Sequence, residues 1–240
     1  MQNRKKETLS RTELLLGADA MSKLGAARVI IFGVGGVGGY ALEALVRSGV
    51  GSITAVDMDT VSLSNINRQI IATEKTVGRL KVEVAGERAR EINPDIDFTA
   101  LPLFYNEENA QDINLSDYDY VIDAIDTVKS KIALIANANA AGVPIISSMG
   151  TGNKLDPTAF KVADVYKTSV CPLARVVRTE LKKRGIKKLK CVYSEELPKN
   201  AIVQDEDSPK TRHSPASIAT IPAVAGLIIA TEVIKDLSKQ

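Results

Sequence analysis

The sequence predicts an α/β fold organised on a doubly wound, mainly parallel sheet, with a small C-terminal extension. Three observations carry that expectation. Short β-rich runs alternate with helical stretches from Arg28 to Ser148, the order that builds parallel sheets. Hydrophobic residues make up 45% of the chain, aromatic residues only 4%, and Trp is absent. A mainly aliphatic core of this kind suits strands buried on both faces. A glycine cluster also separates the first strand from its helix.

The elements follow in order. Arg11 to Leu24 carries apolar residues at Leu14, Leu15, Ala18, Met21 and Leu24, a helical spacing. Arg28 to Phe32 is a strand that ends at Gly33, and Tyr40 to Arg47 is a helix stopped near Gly49. Ser52 to Val56 is a second strand with Asp57 at its tip. Val77 to Ile92 is a charged amphipathic helix, closed by Asn93-Pro94. Asp97 to Leu103 and Tyr120 to Ala124 read as strands, Lys129 to Ala141 as a helix stopped by Gly142, and Val143 to Ser148 as a strand. After Gly150 the texture changes. Phe160 to Tyr166 and Lys190 to Tyr193 are short strands, Leu173 to Arg184 is a basic helix, and Val224 to Leu237 is a final helix that packs back on the core. Pro198 to Pro215 reads as a polar loop.

Composition excludes several classes. Net charge is only +2, too small on its own to call for nucleic acid. The two cysteines, Cys171 and Cys191, are too few for a disulfide scaffold or a four-cysteine zinc site. The start, Met1 to Arg11, is polar and charged, so no signal peptide is expected. The apolar stretch Ile218 to Ile234 contains Pro222, Thr231 and Glu232, so we read it as a buried helix and expect no membrane association. The cytoplasm is the expected location.

Gly33-Val34-Gly35-Gly36-Val37-Gly38 fits G-x-G-x-x-G between a strand and a helix, the context that marks a nucleotide-binding turn of Rossmann-like type. Glycines let the backbone approach a phosphate, and the helix N-terminus adds positive potential. Asp57 follows roughly 20 residues on, where a carboxylate accepts ribose hydroxyls. The turn alone leaves NAD, FAD and ATP open. The segment Asp57-Met58-Asp59 through Asn65-Ile66-Asn67-Arg68-Gln69 favours ATP, because a dehydrogenase has no use for it. Arg68 suits bidentate phosphate contact, Lys81 adds a second positive charge, and Asp126 stands at a strand end where it could hold Mg²⁺ through phosphate oxygens and water. Asp126 or Thr127 could equally cap the following helix.

These segments resemble the ubiquitin-activating-enzyme-like superfamily of ThiF and MoeB, which includes bacterial enzymes that adenylate sulfur-carrier proteins. The matching residues are Gly33 to Gly38, Asp57 to Gln69, Val77 to Lys81, Ile92 to Pro94 and Asp123 to Thr127. The resemblance implies that Asp57, within the Asp57-Met58-Asp59 stretch, binds ribose. It implies that Asn65, Arg68 and Lys81 bind phosphates, and that Asp126 coordinates Mg²⁺. Arg11 matches an arginine that reaches the neighbouring subunit's ATP, so a homodimer is implied. The resemblance also leaves room for a monovalent cation beside the site. Within the superfamily, Ser147 to Thr158, Ala163 to Thr168, Pro172 to Arg175 and Val176 to Lys188 look like the dehydratase branch, although Cys171 departs from that branch's Asp. The branch cyclises threonylcarbamoyladenosine beside the anticodon of tRNA. The implied organisation is a single ATP-binding domain over 1–240, with its core at 24–150 and a substrate-facing part at 151–240.

Two substrates compete. Carrier activation is the alternative. It often relies on paired Cys-x-x-Cys zinc sites or a thioester cysteine, and this chain has no such pairs. Arg175, Arg178, Lys182, Lys183, Arg184, Lys187, Lys188 and Lys190 crowd one stretch, which favours phosphate contacts with tRNA over a merely solvated helix face. Of these we single out Arg178, Lys182, Lys183, Lys187 and Lys188. An NAD-dependent oxidoreductase would leave Asn65, Arg68 and Lys81 unused. The lone His213 falls in the polar loop, where an incidental role is expected.

Overall fold

The computed structural model of the chain describes residues 7–199 and 215–239. Seven strands form one sheet: β1 (Arg28–Phe32), β2 (Ser52–Val56), β3 (Asp97–Leu101), β4 (Tyr120–Asp123), β5 (Ile145–Ser148), β6 (Phe160–Asp164) and β7 (Lys190–Ser194). Their spatial order is β3-β2-β1-β4-β5-β7-β6. Every pair is parallel except β6 with β7. The helices are α1 (Ser10–Leu16), α2 (Ala18–Ala26), α3 (Gly38–Arg47), α4 (Lys81–Ile92), α5 (Val128–Ala141), α6 (Pro172–Lys183) and α7 (Thr220–Ser238).

Alternation along the strands sorts the core into two layers. Val29 and Ile31 of β1 face one side and pack in one apolar cluster with residues of α3, α4 and α7. Ile30 and Phe32 face the other side, where Ala133, Leu134 and Ala138 of α5 cover them. Beyond β5, Ile132 and Ile135 of α5 join Ala174, Val177 and Leu181 of α6 over Cys191 of β7. All four residues of β4 are buried, as a central parallel strand requires.

The strand order reverses between β1 and β4, so their following loops diverge and open a crevice at the carboxyl edge of the sheet. Register sets its depth: Phe32 lies beside both Val56 and Asp123. The turn after β1, the acid after β2 and the loop after β4 therefore emerge at one level.

Local chemistry explains the departures from expectation. The helix expected across Arg11 to Leu24 is two helices, because Gly17 takes φ 86°, a region that glycine enters without steric cost. The helix expected from Val77 begins at Lys81. Gly78 N–H donates to Val61 O at 2.8 Å and Val61 N–H donates to Arg79 O at 2.8 Å, so residues 77–80 pin the segment after β2 instead. The strand expected through Tyr166 ends at Asp164, whose carboxylate accepts the Tyr166 N–H at 2.9 Å and starts a 3₁₀ turn over Val165–Lys167. The last helix starts at Thr220 rather than Val224, with Pro222 in its first turn, where a missing N–H costs nothing. Among the described residues, no helix is long and apolar enough to cross a membrane.

Candidate active site

The crevice is a cleft of about 740 Å³ at the carboxyl ends of the strands, within the size range of small-molecule sites. Its floor is the glycine turn between β1 and α3. Gly33 has φ 89°, and a Cβ there would lie 2.7 Å from Ala124 O. A Cβ on Gly38 would lie 1.8 Å from Gly33 O, and one on Gly36 would lie 3.0 Å from Pro222 Cβ. The protein's own packing demands Gly33 and Gly38 and leaves Gly36 tight against Pro222. Gly35 differs: a Cβ there meets nothing nearer than Gln69 Nε2 at 3.8 Å. The space above it is open to the cleft, as a phosphate cradle requires. Gly39 N–H and Ala41 N–H already donate to Gly35 O and Val37 O at 3.0 Å each, so the backbone N–H groups of residues 35–38 are the ones left to face an anion.

Asp57 secures this turn. Its Oδ2 accepts the Val34 N–H at 2.7 Å and its Oδ1 accepts the Asp59 N–H at 2.9 Å. Burial pushes its carboxyl above the usual range, against the lowering effects of Lys81 and the two amides. Each oxygen keeps a lone pair for a ribose hydroxyl. Lys81 opens α4 and is 6% exposed. Its Nζ donates to Asp59 Oδ2 at 2.7 Å and stands 4.0 Å from Asp57 Oδ2.

Arg68 lines the same cleft. Its Nη1 donates to Ser64 O and to Asn67 Oδ1, each at 2.8 Å. Asp126 is exposed on the loop after β4 and also lines the cleft. It does not cap α5, whose N-cap is Thr127 without a side-chain capping bond. No cluster of three or more potential metal-ligating side chains exists among the described residues. Any Mg²⁺ at Asp126 would therefore draw its other ligands from phosphate and water.

Three residues expected at the nucleotide do not line the cleft: Gly38, Asn65 and Arg11. Asn65 is buried behind the wall, where its Oδ1 accepts the Ser62 N–H at 3.1 Å and closes the 3₁₀ turn Leu63–Asn65. Arg11 lies exposed on α1 at the opposite end of the sheet. There Leu9 covers Gly49, just before β2, and the end of α2 accepts the Gly51 N–H.

Other lining residues were not singled out for the site from the sequence. Phe104, 45% exposed, follows β3 at the rim. Gln69 is 7% exposed, its Oε1 has no partner among the described residues, and the residue lines the cleft. Its signal was present as the last letter of the Asn-x-x-Arg-Gln run. The residues 149–152 after β5 and the Pro215 and Ser217 segment close the far side.

The basic stretch on and just after α6 divides. Arg178 turns inward, half-buried, and donates to Thr168 O at 2.9 Å and to the Thr168 hydroxyl. Lys182, Lys187 and Lys188 are exposed. Lys183 is exposed but paired with Glu180 at 2.7 Å. Both cysteines are buried, and burial pushes the Cys191 thiol up to about 12. His213 lies outside the described residues.

The chain is 44% identical, over 96% of its own length and 94% of the relative's, to the tRNA threonylcarbamoyladenosine dehydratase of Bacillus subtilis. Its fold matches the crystal structure of the Escherichia coli tRNA N6-threonylcarbamoyladenosine dehydratase in complex with AMP, with a TM-score of 0.87, 36% identity, and coverage of 97% of this chain and 94% of that one. The same E. coli enzyme in complex with ATP matches with a TM-score of 0.86 and 34% identity, over 97% of this chain and 94% of that one. The model of the ThiF family matches residues 9–240, and the chain belongs to that family.

Proposed function

We propose that this protein is an ATP-dependent dehydratase that adenylates the carboxylate of threonylcarbamoyladenosine in tRNA and cyclises it. One observation carries the reading: the glycine turn, Arg68, Lys81 and Asp126 all border one cleft, in a chain whose close relatives bear that activity's name and bind ATP and AMP.

The chemistry follows from the substrate. A free carboxylate is a poor acylating group because oxide is a poor leaving group. Its oxygen attacks the α-phosphorus of ATP, the bond to the β-phosphate oxygen breaks, and diphosphate leaves. The nearby carbamoyl group then attacks the acyl carbon of the mixed anhydride, the ring closes and AMP leaves. The sum is loss of one water coupled to cleavage of ATP to AMP and diphosphate. The protein contributes mainly position and charge. The Gly35 cradle and its free backbone N–H groups hold phosphate oxygens, and Asp57 accepts the ribose hydroxyls. Arg68 and Lys81 face the charge that grows on the departing diphosphate. Asp126 would hold Mg²⁺, which supplies further neutralisation of phosphate charge when bound.

Residues 151–240 face the tRNA in this reading, and Lys182, Lys187 and Lys188 offer phosphate contacts. Arg11 serves the cleft of a second copy, so the working unit is a homodimer. The cytoplasm, where tRNA is modified, is its place of action. Carrier activation through a thioester gains nothing from Cys191, a buried thiol held almost wholly protonated at neutral pH.

The direct test is mass spectrometry of threonylcarbamoyl-modified tRNA after incubation with the protein and ATP. We expect a nucleoside lighter by one water, with AMP and diphosphate released in step. Unchanged tRNA, with diphosphate released only when a ubiquitin-like carrier is added, would replace this reading with the alternative.

A further inference from the structure

Directly beneath the cleft lies an ion pair sealed from solvent. Lys131 of α5 and Asp123, the last residue of β4, are both 0% exposed and meet at 2.7 Å. All three ammonium protons are engaged: Nζ also donates to Ser148 O at 3.0 Å and to Ser147 Oγ at 3.3 Å. Ser147 in turn donates to Asp123 Oδ2 at 2.5 Å. The other carboxylate oxygen, Oδ1, accepts the Ile125 N–H at 3.1 Å.

Stability alone does not account for this arrangement. Two charges removed from water lose solvation that their mutual attraction repays only in good geometry, and an apolar pair of similar volume is often as stable or more so. What the pair does supply is a tie. Asp123 ends β4, and Ser147 and Ser148 end β5. The loops that leave these two strands both line the cleft, one with Asp126 and the other with Gly150 and Gly152. Lys131 bonds to both strand ends, and through Asp123 it also sets the turn at Ile125, one residue before Asp126. The nucleotide grips on the opposite wall, Asp57, Arg68 and Lys81, make no bond to this network.

We infer that Lys131 is a positioning residue for the adenylation step. It locks the carboxyl ends of β4 and β5 together, and so fixes Asp126 against the loop after β5. The inference rests on the adenylation reading above. It separates two properties that a merely structural lysine would lose together: grip on the nucleotide in the absence of Mg²⁺, which belongs to Asp57, Arg68 and Lys81, and turnover with Mg²⁺, which depends on where Asp126 stands.

The test is the paired variant Lys131→Met with Asp123→Asn. It removes both charges at nearly constant volume and leaves an oxygen to accept the Ile125 N–H. We expect ATP titrated without Mg²⁺ to bind at full stoichiometry with a Kd within about threefold of the parent, while turnover on modified tRNA with Mg²⁺ falls on the order of 30-fold or more. Turnover within about threefold of the parent, at unchanged Kd, overturns the inference. If the paired variant does not fold, Ser147→Ala decides, because it deletes one hydroxyl from the same network. A loss of roughly fivefold or more in turnover, at unchanged ATP Kd without Mg²⁺, supports the inference, and turnover within about twofold overturns it. The parent protein separates the two claims: if it removes no water from the tRNA, the functional reading fails, whereas the ratio of variant to parent speaks only to Lys131.

Discussion

Gly35 and Gly38 stand three residues apart in one motif, and the structure asks different things of them. A methyl group on Gly38 would sit 1.8 Å from the carbonyl oxygen of Gly33, inside the turn itself. Alanine normally improves a helix position by up to about 1 kcal/mol over glycine. A backbone clash of this size reverses that gain, since overpacking typically costs about 1–3 kcal/mol and here no flexible side chain can yield. Gly38→Ala should therefore lower the thermal midpoint by several degrees. At Gly35 the nearest atom to an added methyl is 3.8 Å away, so Gly35→Ala should unfold within about 2 °C of the parent. The methyl would instead occupy the phosphate cradle, and ATP Kd should rise by about tenfold or more, an amount worth about 1.4 kcal/mol. Thermal unfolding beside an ATP titration checks both halves, and equal effects of the two variants would remove the cradle. At this scale the glycines were legible from their fixed spacing, although the turn's own packing, not a ligand, accounts for Gly33 and Gly38. Lys131 was not legible, because nothing in a helical stretch of sequence says that one lysine points into a sealed core. Asn65 sat in the right motif, yet its carbonyl closes a turn.

The elements themselves were largely legible. Parallel strands buried on both faces leave short aliphatic runs, and the runs of β1, β2 and β4 ended where a glycine or an acid began the next turn. The departures came where backbone hydrogen bonding overrode periodicity, at Gly17, at residues 77–80 and at Asp164. The direction of β6 was not legible, since an edge strand that pairs with one neighbour carries no signal of its polarity. Helix α6 shows the limit of a charge run. Ala174, Val177 and Leu181 form its buried face, and that geometry turns Arg178 inward to Thr168 while Lys183 and Arg184 share Glu180. A tRNA-facing role thus falls on Lys182, Lys187 and Lys188. Phosphate contacts release counterions, with a slope of log K against log salt of roughly −0.7 to −0.9 per contact. Neutralising these three lysines should weaken tRNA binding and flatten that slope by about 2 to 3. An unchanged salt titration would move the RNA to another face. The Arg178→Ala variant should lose stability through Thr168 more than it loses RNA affinity.

At the scale of the whole molecule, the reversal of strand order between β1 and β4 decides where chemistry can occur, and it leaves Arg11 at the wrong end of its own chain. Helix α1 carries Arg11 beside Leu14 and Leu15, which are 88% and 82% exposed. Uncovered leucines on a short helix are the kind of surface that a second copy covers. If Arg11 acts only across such an interface, its loss can be repaired by a neighbour. Arg11→Ala homodimers should be nearly inactive, and so should Lys81→Ala homodimers. In a heterodimer of the two, the chain with intact Lys81 receives Arg11 from its partner, which makes one complete site of two. Random mixing gives heterodimers as half of all dimers, so activity should recover to about a quarter of the parent value. Arg11 acting within its own chain predicts no recovery, because each chain would still lack one of its two residues. A stability defect in either variant would lower both homodimers without creating activity on mixing. Recovery after subunit exchange, measured as water loss from modified tRNA, therefore reports shared sites in a way that oligomeric state alone does not.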